Sequence, residues 1–190
     1  MPSDARRSAT PVRILAFGGS TRPGSSSEIA LRTAAAAAEA RGATVELMTG
    51  PELLLPLYQP DLSARTEQAH ALLASVRSAD GIIIASPGYH GAVSGMIKNA
   101  LDYVEDLRGD ARVYLDGRAV GCIGVAHGWQ AAVSTLHSLR VVVHALRGWP
   151  TPLGVAVNGA EGIARNEPQF VALAEQVVRF AEMQTRAVEA

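Results

Sequence analysis

Residues 12–27, VRILAFGGSTRPGSSS, decide the fold of this chain. The first six of them, residues 12–17, form a short and mostly apolar run, which predicts a buried β-strand. Two glycines end the run, and the hydroxyls of residues 25–27 offer N-caps for a helix. Residues 29–41, rich in alanine, supply that helix. A strand, a loop and a helix in this order begin an α/β fold with parallel strands.

The same alternation continues along the chain. Further strands are predicted at residues 44–48, 81–85, 118–126 and 153–157. Further helices are predicted at residues 66–76, 93–107, 131–146 and 168–190. Parallel strands need crossover helices, so the pattern predicts a five-stranded parallel sheet with helices on both faces. A ligand lies outside the carboxyl ends of such strands, next to the loops at residues 18–27, 86–94 and 126–131.

Length and charge limit the organisation of the protein and its partners. A chain of 190 residues is long enough for one domain, predicted at residues 12–190, behind a flexible N-terminal tail at residues 1–11. The net charge of -1 excludes attraction to nucleic acid or to an anionic membrane by charge alone. Cys122, the single cysteine, has no partner for an internal disulfide and lies in an apolar run. The tail has no apolar stretch of signal-peptide length, so a cytoplasmic protein is expected.

The first loop has the chemistry of an anion site. It lies before a helix N-terminus, where free N–H groups and the helix dipole favour negative charge. Its donors are Ser20, Arg22, Ser25, Ser26 and Ser27. The loop lacks the lysine of a triphosphate-binding loop and the spacing of G-x-G-x-x-G, so a monophosphate fits it better. The alternative is a serine-rich turn that only caps the helix.

The second loop pairs a proline with an aromatic residue directly after the central strand. Pro87, Gly88, Tyr89 and His90 offer rigid backbone and an aromatic face to a flat ligand. The alternative is that Tyr89 is a half-buried core residue with its hydroxyl in water.

The two loops together carry a family resemblance. Residues 19–25, GSTRPGS, are similar to the motif G-S-x-R-x-x-S, and residues 86–89, SPGY, to S-P-x-Y. Residues 94–102, SGMIKNALD, are similar to S-G-x-L-K-N-A-L-D. On these motifs the chain resembles the NADPH-dependent FMN reductase family of flavodoxin-like proteins, over roughly residues 12–157.

The resemblance implies a flavodoxin-like, doubly wound sheet with strand order 2-1-3-4-5, and FMN as cofactor with NADPH or NADH as reductant. It implies a phosphate site on the first loop and a flavin ring against residues 87–90, and a homodimer or homotetramer. The family often has Asn at the position of Ser27, and Glu and Asn at those of Gly88 and His90. The shorter Ser27 is expected to shift the phosphate contact, and His90 is expected to change the polarity at the flavin edge.

The third loop contains His127, Gly128 and Trp129, whose N–H groups are expected to face the pyrimidine end of the ring. Trp129 either covers the ring or packs at a subunit contact. The flavin carries the chemistry, so no catalytic dyad is required. His90 and His127 are candidate proton donors, while the other histidines are interpreted as structural. No metal motif and no paired cysteines are found in the sequence.

Three functions remain open from the sequence. The first is an NAD(P)H:FMN oxidoreductase, with hydride transfer from nicotinamide to N5 of FMN and then to free flavin, a quinone, an azo compound or a metal ion. The second is a non-enzymatic electron carrier, and the third an FMN enzyme acting on one metabolite. The near-neutral charge gives little guidance toward a redox partner protein, which favours the first. The acceptor, the choice between NADPH and NADH, the oligomeric state and whether FMN is cofactor or substrate stay open.

Overall fold

A computed structural model describes residues 10–188 of the chain. Within them, the strands are β1 Arg13–Gly18, β2 Thr44–Thr49, β3 Gly81–Tyr89, β4 Ala92–Val93, β5 Ala119–Ala126, β6 Trp149–Pro150 and β7 Val155–Asn158. The α-helices are α1 Ser26–Ala40, α2 Glu67–Ser78, α3 Gly95–Tyr103, α4 Trp129–Ala145 and α5 Glu167–Val188. Most of the predicted tail, residues 1–9, and the last two residues of the predicted closing helix lie outside the described residues.

The strands form one sheet in the order β2-β1-β3-β5, with β6 and β7 both parallel to β5 at its free edge. The predicted α/β fold is therefore confirmed, and the parallel strands follow the predicted order 2-1-3-4-5 once β4 is left out. The described sheet has seven strands rather than the predicted five, because β4 pairs antiparallel with β3 and the last position is divided between β6 and β7. The fifth strand was predicted at residues 153–157, and these boundaries are wrong. Two short strands, β6 and β7, share its edge position, and residues 151–154 separate them. Pro152 has no N–H for a ladder, and the Thr151 hydroxyl donates to the Leu153 carbonyl at 2.8 Å.

The central strand is buried on both faces, as its apolar run predicts. Ile82 and Ile84 pack in a core beneath α2, α3 and α4. Ile83, between them in the chain, points to the opposite core beneath α1 and α5. Alternate residues of one strand thus hold two helical layers, and all three side chains are fully buried. Cys122 is also fully buried, so it is a core residue, and this burial raises the pKa of its thiol to about 12.

Asn99, which belongs to the motif at residues 94–102, forms hydrogen bonds with the long loop after β2. Its side-chain oxygen accepts from the Tyr58 N–H at 2.8 Å, and its amide donates to the Pro56 carbonyl at 2.9 Å. Arg65 from the same loop forms two hydrogen bonds to Asp106, at 2.7 and 2.9 Å, and these lower the pKa of that carboxyl. Asn99 of α3 and Asp106, just beyond the helix, thus hold a neighbouring loop in place.

Arg118 is a buried cation at the amino end of β5, with 1% of its surface exposed. Its guanidinium donates to the carbonyls of Ala79, Tyr114, Asp116 and Arg77, at 3.0, 3.2, 3.4 and 3.1 Å. Burial lowers its pKa to about 10, so the side chain remains charged at pH 7. This one side chain therefore ties the end of α2 to the segment before β5.

Candidate active site

The carboxyl ends of β1, β3, β5 and β7 surround a cavity of about 550 Å³. Its volume is in the range of small-molecule and cofactor sites. Ten of the twelve residues predicted from the sequence line it: Ser20, Arg22, Ser25, Ser26, Ser27, Pro87, Gly88, Tyr89, His90 and His127. Gly128 and Trp129 do not. The expectation that three loops meet at this edge of the sheet agrees with the structure.

The first wall is the loop before α1, held rigidly by its own hydrogen bonds. Ser25 is the N-cap of α1, and its hydroxyl accepts from the Glu28 N–H at 3.3 Å. The Glu28 carboxylate reaches back to accept from the Gly24 N–H at 2.9 Å, and Arg32 neutralises it at 2.8 Å. Capping and a local ion pair therefore set the loop before any ligand binds.

This wall offers donors to a ligand. The hydroxyls of Ser25 and Ser27 lie 3.3 Å apart and are buried. Within residues 10–188, no hydrogen bond uses the N–H groups of Ser26 and Ser27 in the first turn of the helix. Arg22 is exposed at the rim. Free N–H groups, hydroxyls and one guanidinium at a helix N-terminus suit a phosphate monoester, so these residues fit the expected phosphate of FMN.

The second wall corrects the prediction of a loop at residues 86–94. β3 continues to Tyr89 and turns through His90 and Gly91 into β4, which pairs antiparallel with it. His90 and Gly91 have φ of 54° and 81°, the left-handed values that a two-residue hairpin turn of type I′ needs. A proline within a segment argues against predicting a strand there. Pro87 is accommodated because it lies beyond Ala85, the last residue of β3 that pairs with β1.

Tyr89 stands at the rim of the cavity with 55% of its surface exposed. Tyr89 is therefore not a core residue. An exposed aromatic ring beside a cavity presents a flat apolar face to a ligand, while its hydroxyl stays in water.

Gly88, where the family often has Glu, lies directly against α4. An added Cβ would be 2.3 Å from Thr135 Oγ1 and 3.1 Å from the Ala126 Cβ. A side chain at this position would displace Thr135 of α4, which occupies the space beneath the hairpin. The glycine at position 88, where the family often has Glu, thus goes together with close packing of α4 against the hairpin.

The third wall also differs from the prediction. α4 begins at Trp129, so Gly128 is its N-cap, with φ of 109°. The Gly128 N–H donates to Asn158 Oδ1 at 2.9 Å and is not available to the cavity. The Trp129 indole N–H donates to Glu161 Oε1 at 2.7 Å, away from the cavity lining. Of the predicted residues of this loop, His127 lines the cavity.

Five further residues line the cavity: Thr21, Val125, Ala126, Ala131 and Gly159. Gly159 lies beyond the last predicted strand and was missed in the sequence. It follows β7, whose carboxyl end lies at the same edge of the sheet as those of β1, β3 and β5. The signal that identifies it is the Asn-Gly pair directly after the last predicted strand, at residues 158–159. Within residues 10–188, no group of three metal-ligating side chains is present, and no helix is long and apolar enough to cross a membrane.

Known proteins share both the sequence pattern and the fold. The chain is 32% identical over 119 residues to the FMN-dependent NADPH-azoreductase of Staphylococcus aureus strain NCTC 8325. That match covers 59% of this chain and 59% of the relative, so the chain spans about three-fifths of its length.

Solved structures show the fold. The flavoenzyme NAD(P)H:(acceptor) oxidoreductase FerB of Paracoccus denitrificans superposes with a TM-score of 0.73 at 20% identity, over 91% of this chain and 98% of that one. The WrbA-like flavodoxin of Agrobacterium tumefaciens superposes with a TM-score of 0.62 at 17% identity, over 92% and 99%. The fold is therefore flavodoxin-like.

A sequence model of one family matches residues 12–162, most of the described chain. This match includes the first loop, the hairpin with its Pro-Gly-Tyr segment, the third loop and the Asn-Gly pair after β7. It therefore covers every wall of the cavity, and the chain belongs to the NADPH-dependent FMN reductase family.

Proposed function

We propose that this protein is an NAD(P)H-dependent FMN reductase that binds FMN in the cavity at the carboxyl edge of the sheet. One observation carries the proposal: a donor-rich helix N-terminus and an exposed aromatic rim open into the same cavity. FMN supplies the exchange of two electrons between a nicotinamide and an acceptor. The protein supplies binding, orientation and electrostatics.

The first loop would hold the phosphate. The proposed contacts are Ser20, Arg22, Ser25, Ser26 and Ser27. The Glu28 carboxylate is paired with Arg32, so its negative charge opposes an anion less than a free carboxylate would.

The hairpin and the third loop would enclose the ring. Pro87, Gly88 and Tyr89 would lie along it, with His90 at one edge. His127 on the third loop is the facing polar group. His90 and His127 are the groups proposed to donate a proton to an acceptor, because both lie on the cavity and are exposed.

The relatives support an acceptor class. The curated relative is named for NADPH and for azo reduction, so we propose NADPH as the reductant and an azo compound or quinone as the acceptor. The net charge of -1 offers little steering toward a protein partner, which favours an enzyme over a carrier.

Oligomerisation and location are further parts of the proposal. α4 presents Val133 and Val141 outward, each 54% exposed, and such a face suits a homodimer or homotetramer. A single, buried thiol suits the reducing cytoplasm.

The half-reaction tests the proposal directly. The protein mixed anaerobically with FMN is expected to bind it, with quenched flavin fluorescence. The visible flavin bands should then bleach on NADPH addition much faster than those of free FMN. Absence of FMN binding would contradict the proposed function, and bound FMN that NADPH leaves oxidised would contradict the reductase step.

Replacing Arg22 with glutamine tests the phosphate end of the site. The loss of a charge-assisted contact is expected to raise the Kd for FMN by about tenfold. Riboflavin has no phosphate, so its Kd should not change. Arg41→Gln, at the other end of α1 and 54% exposed, is the matched control. An equal loss of affinity for FMN and riboflavin would place Arg22 elsewhere than at the phosphate.

A further inference from the structure

Two chain segments that line the cavity are joined by a set of side-chain hydrogen bonds behind it. Asn158 Oδ1 accepts from the N–H groups of Gly128 and Ala160, at 2.9 and 3.2 Å. Asn158 Nδ2 donates to Glu161 Oε1 at 2.9 Å, which also accepts from the Trp129 indole at 2.7 Å. We call this set the clasp. It connects the third loop with the segment after β7.

The register of the sheet explains why the connection is made by a side chain. Asn158 lies beside Ala126, the last residue of β5, so the backbone ladder between β5 and β7 ends there. Beyond that pair the chain turns into α4, and within residues 10–188 no backbone carbonyl accepts the N–H of its N-cap Gly128. The Asn158 carboxamide accepts this N–H, so a side chain joins the two segments where the backbone pairing has ended. The two residues are 30 positions apart in the sequence.

Both ends of the clasp bear residues of the cavity wall. His127 precedes Gly128, and Gly159 follows Asn158. A Cβ built on Gly159 would lie 3.8 Å from Ser26 Oγ and 3.9 Å from His127 Cε1. Gly159 therefore sits where the wall of the first loop meets that of the third loop. A shift of the segment after β7 would move one wall relative to the other.

We propose that Asn158 is a positioning residue for FMN, an inference that rests on the proposed function. It sets the distance between the first loop, which is proposed to hold the phosphate, and the third loop, which is proposed to enclose the ring. It also accepts the Gly128 N–H, so this N–H is not available to the ligand. The carboxamide carries the acceptor for Gly128 and the donor for Glu161 on two separate atoms of one short side chain. A carboxylate in its place would keep the acceptor, lose the donor and face Glu161 with like charge.

Hydrogen exchange in the FMN-free protein measures the clasp without any ligand. In Asn158→Ala, the Gly128 amide is expected to exchange about tenfold faster, because its acceptor is gone. The amide of Ile83 in the central strand should exchange at the wild-type rate, which shows that the fold is intact. Asn158→Asp should give a smaller increase at Gly128, since the acceptor remains. Asn166→Ala, a nearby asparagine outside the cavity, is the matched control.

FMN titration of the same variants measures positioning. The Kd for FMN is expected to rise about tenfold in Asn158→Ala and less in Asn158→Asp, with no change in Asn166→Ala. Unchanged exchange at Gly128 would overturn the clasp. Faster exchange with unchanged FMN affinity would overturn positioning and leave a purely structural contact. If the wild-type protein bound no FMN, the proposed function and the positioning role would both fall, and the exchange data would still show whether the clasp exists.

Discussion

Arg118→Ala is expected to lower the free energy of unfolding by about 3–5 kcal/mol, because several buried acceptors lose their donor at once. The guanidinium donates hydrogen bonds to carbonyls at the end of α2 and in the segment before β5. Alanine would remove this donor from the Tyr114 and Arg77 carbonyls and leave the Ala79 carbonyl with only the longer bond from Arg112, at 3.3 Å. Arg118 is 1% exposed, so water has little access to these carbonyls. Urea unfolding, followed by circular dichroism, measures the change.

Two companion variants show whether hydrogen bonding or charge is responsible. Arg118→Lys keeps the charge but has a point-like ammonium, so an intermediate loss is expected. Arg112→Ala is the matched control, since Arg112 also donates to the Ala79 carbonyl, at 3.3 Å, but is exposed. Its loss should stay below about 1 kcal/mol. A similarly small loss for Arg118→Ala would show that these carbonyls find other partners.

Gly18→Ala is expected to abolish FMN binding. Gly18 pairs with Ala85 at the end of β1, and its φ is 152°. A Cβ there would lie 2.2 Å from the Ala85 carbonyl oxygen, which also accepts the Gly19 N–H at 3.1 Å. The end of β1 must separate from β3 to make room for this Cβ. The loop that begins with Ser20 is then displaced from its position at the cavity.

The size of the loss and its control are both measurable. A rise of at least about a hundredfold in the FMN Kd is expected, because displacement of about 1 Å is enough for such losses. Gly42→Ala is the control: Gly42 has φ of 89° but no atom within 4 Å of an added Cβ. It should lose only about 1–2 kcal/mol of stability from backbone strain and bind FMN normally. Normal FMN binding by Gly18→Ala would contradict the role of this close approach.

Sequence patterns alone determined the layers of the fold and the place of the site. Apolar runs of strand length, ended by glycine and separated by amphipathic helices, specify a parallel sheet covered on both faces. The hydroxyl N-cap at Ser25 could be predicted from the sequence, since capping involves residues three apart. Ten residues of the cavity followed, because loops after parallel strands share one edge.

Tertiary structure alone decided which groups face the cavity. The Gly128 N–H was expected at the ligand, yet Asn158, 30 residues later, accepts it. His90 takes the left-handed conformation of a hairpin turn instead of lying in a longer loop, and Gly88 of the same hairpin packs against α4. Asn99 likewise meets its loop partner 41 residues away. Local spacing determines periodicity and caps, but hydrogen-bond partners distant in sequence depend on strand register and helix packing, which exist only in the folded chain.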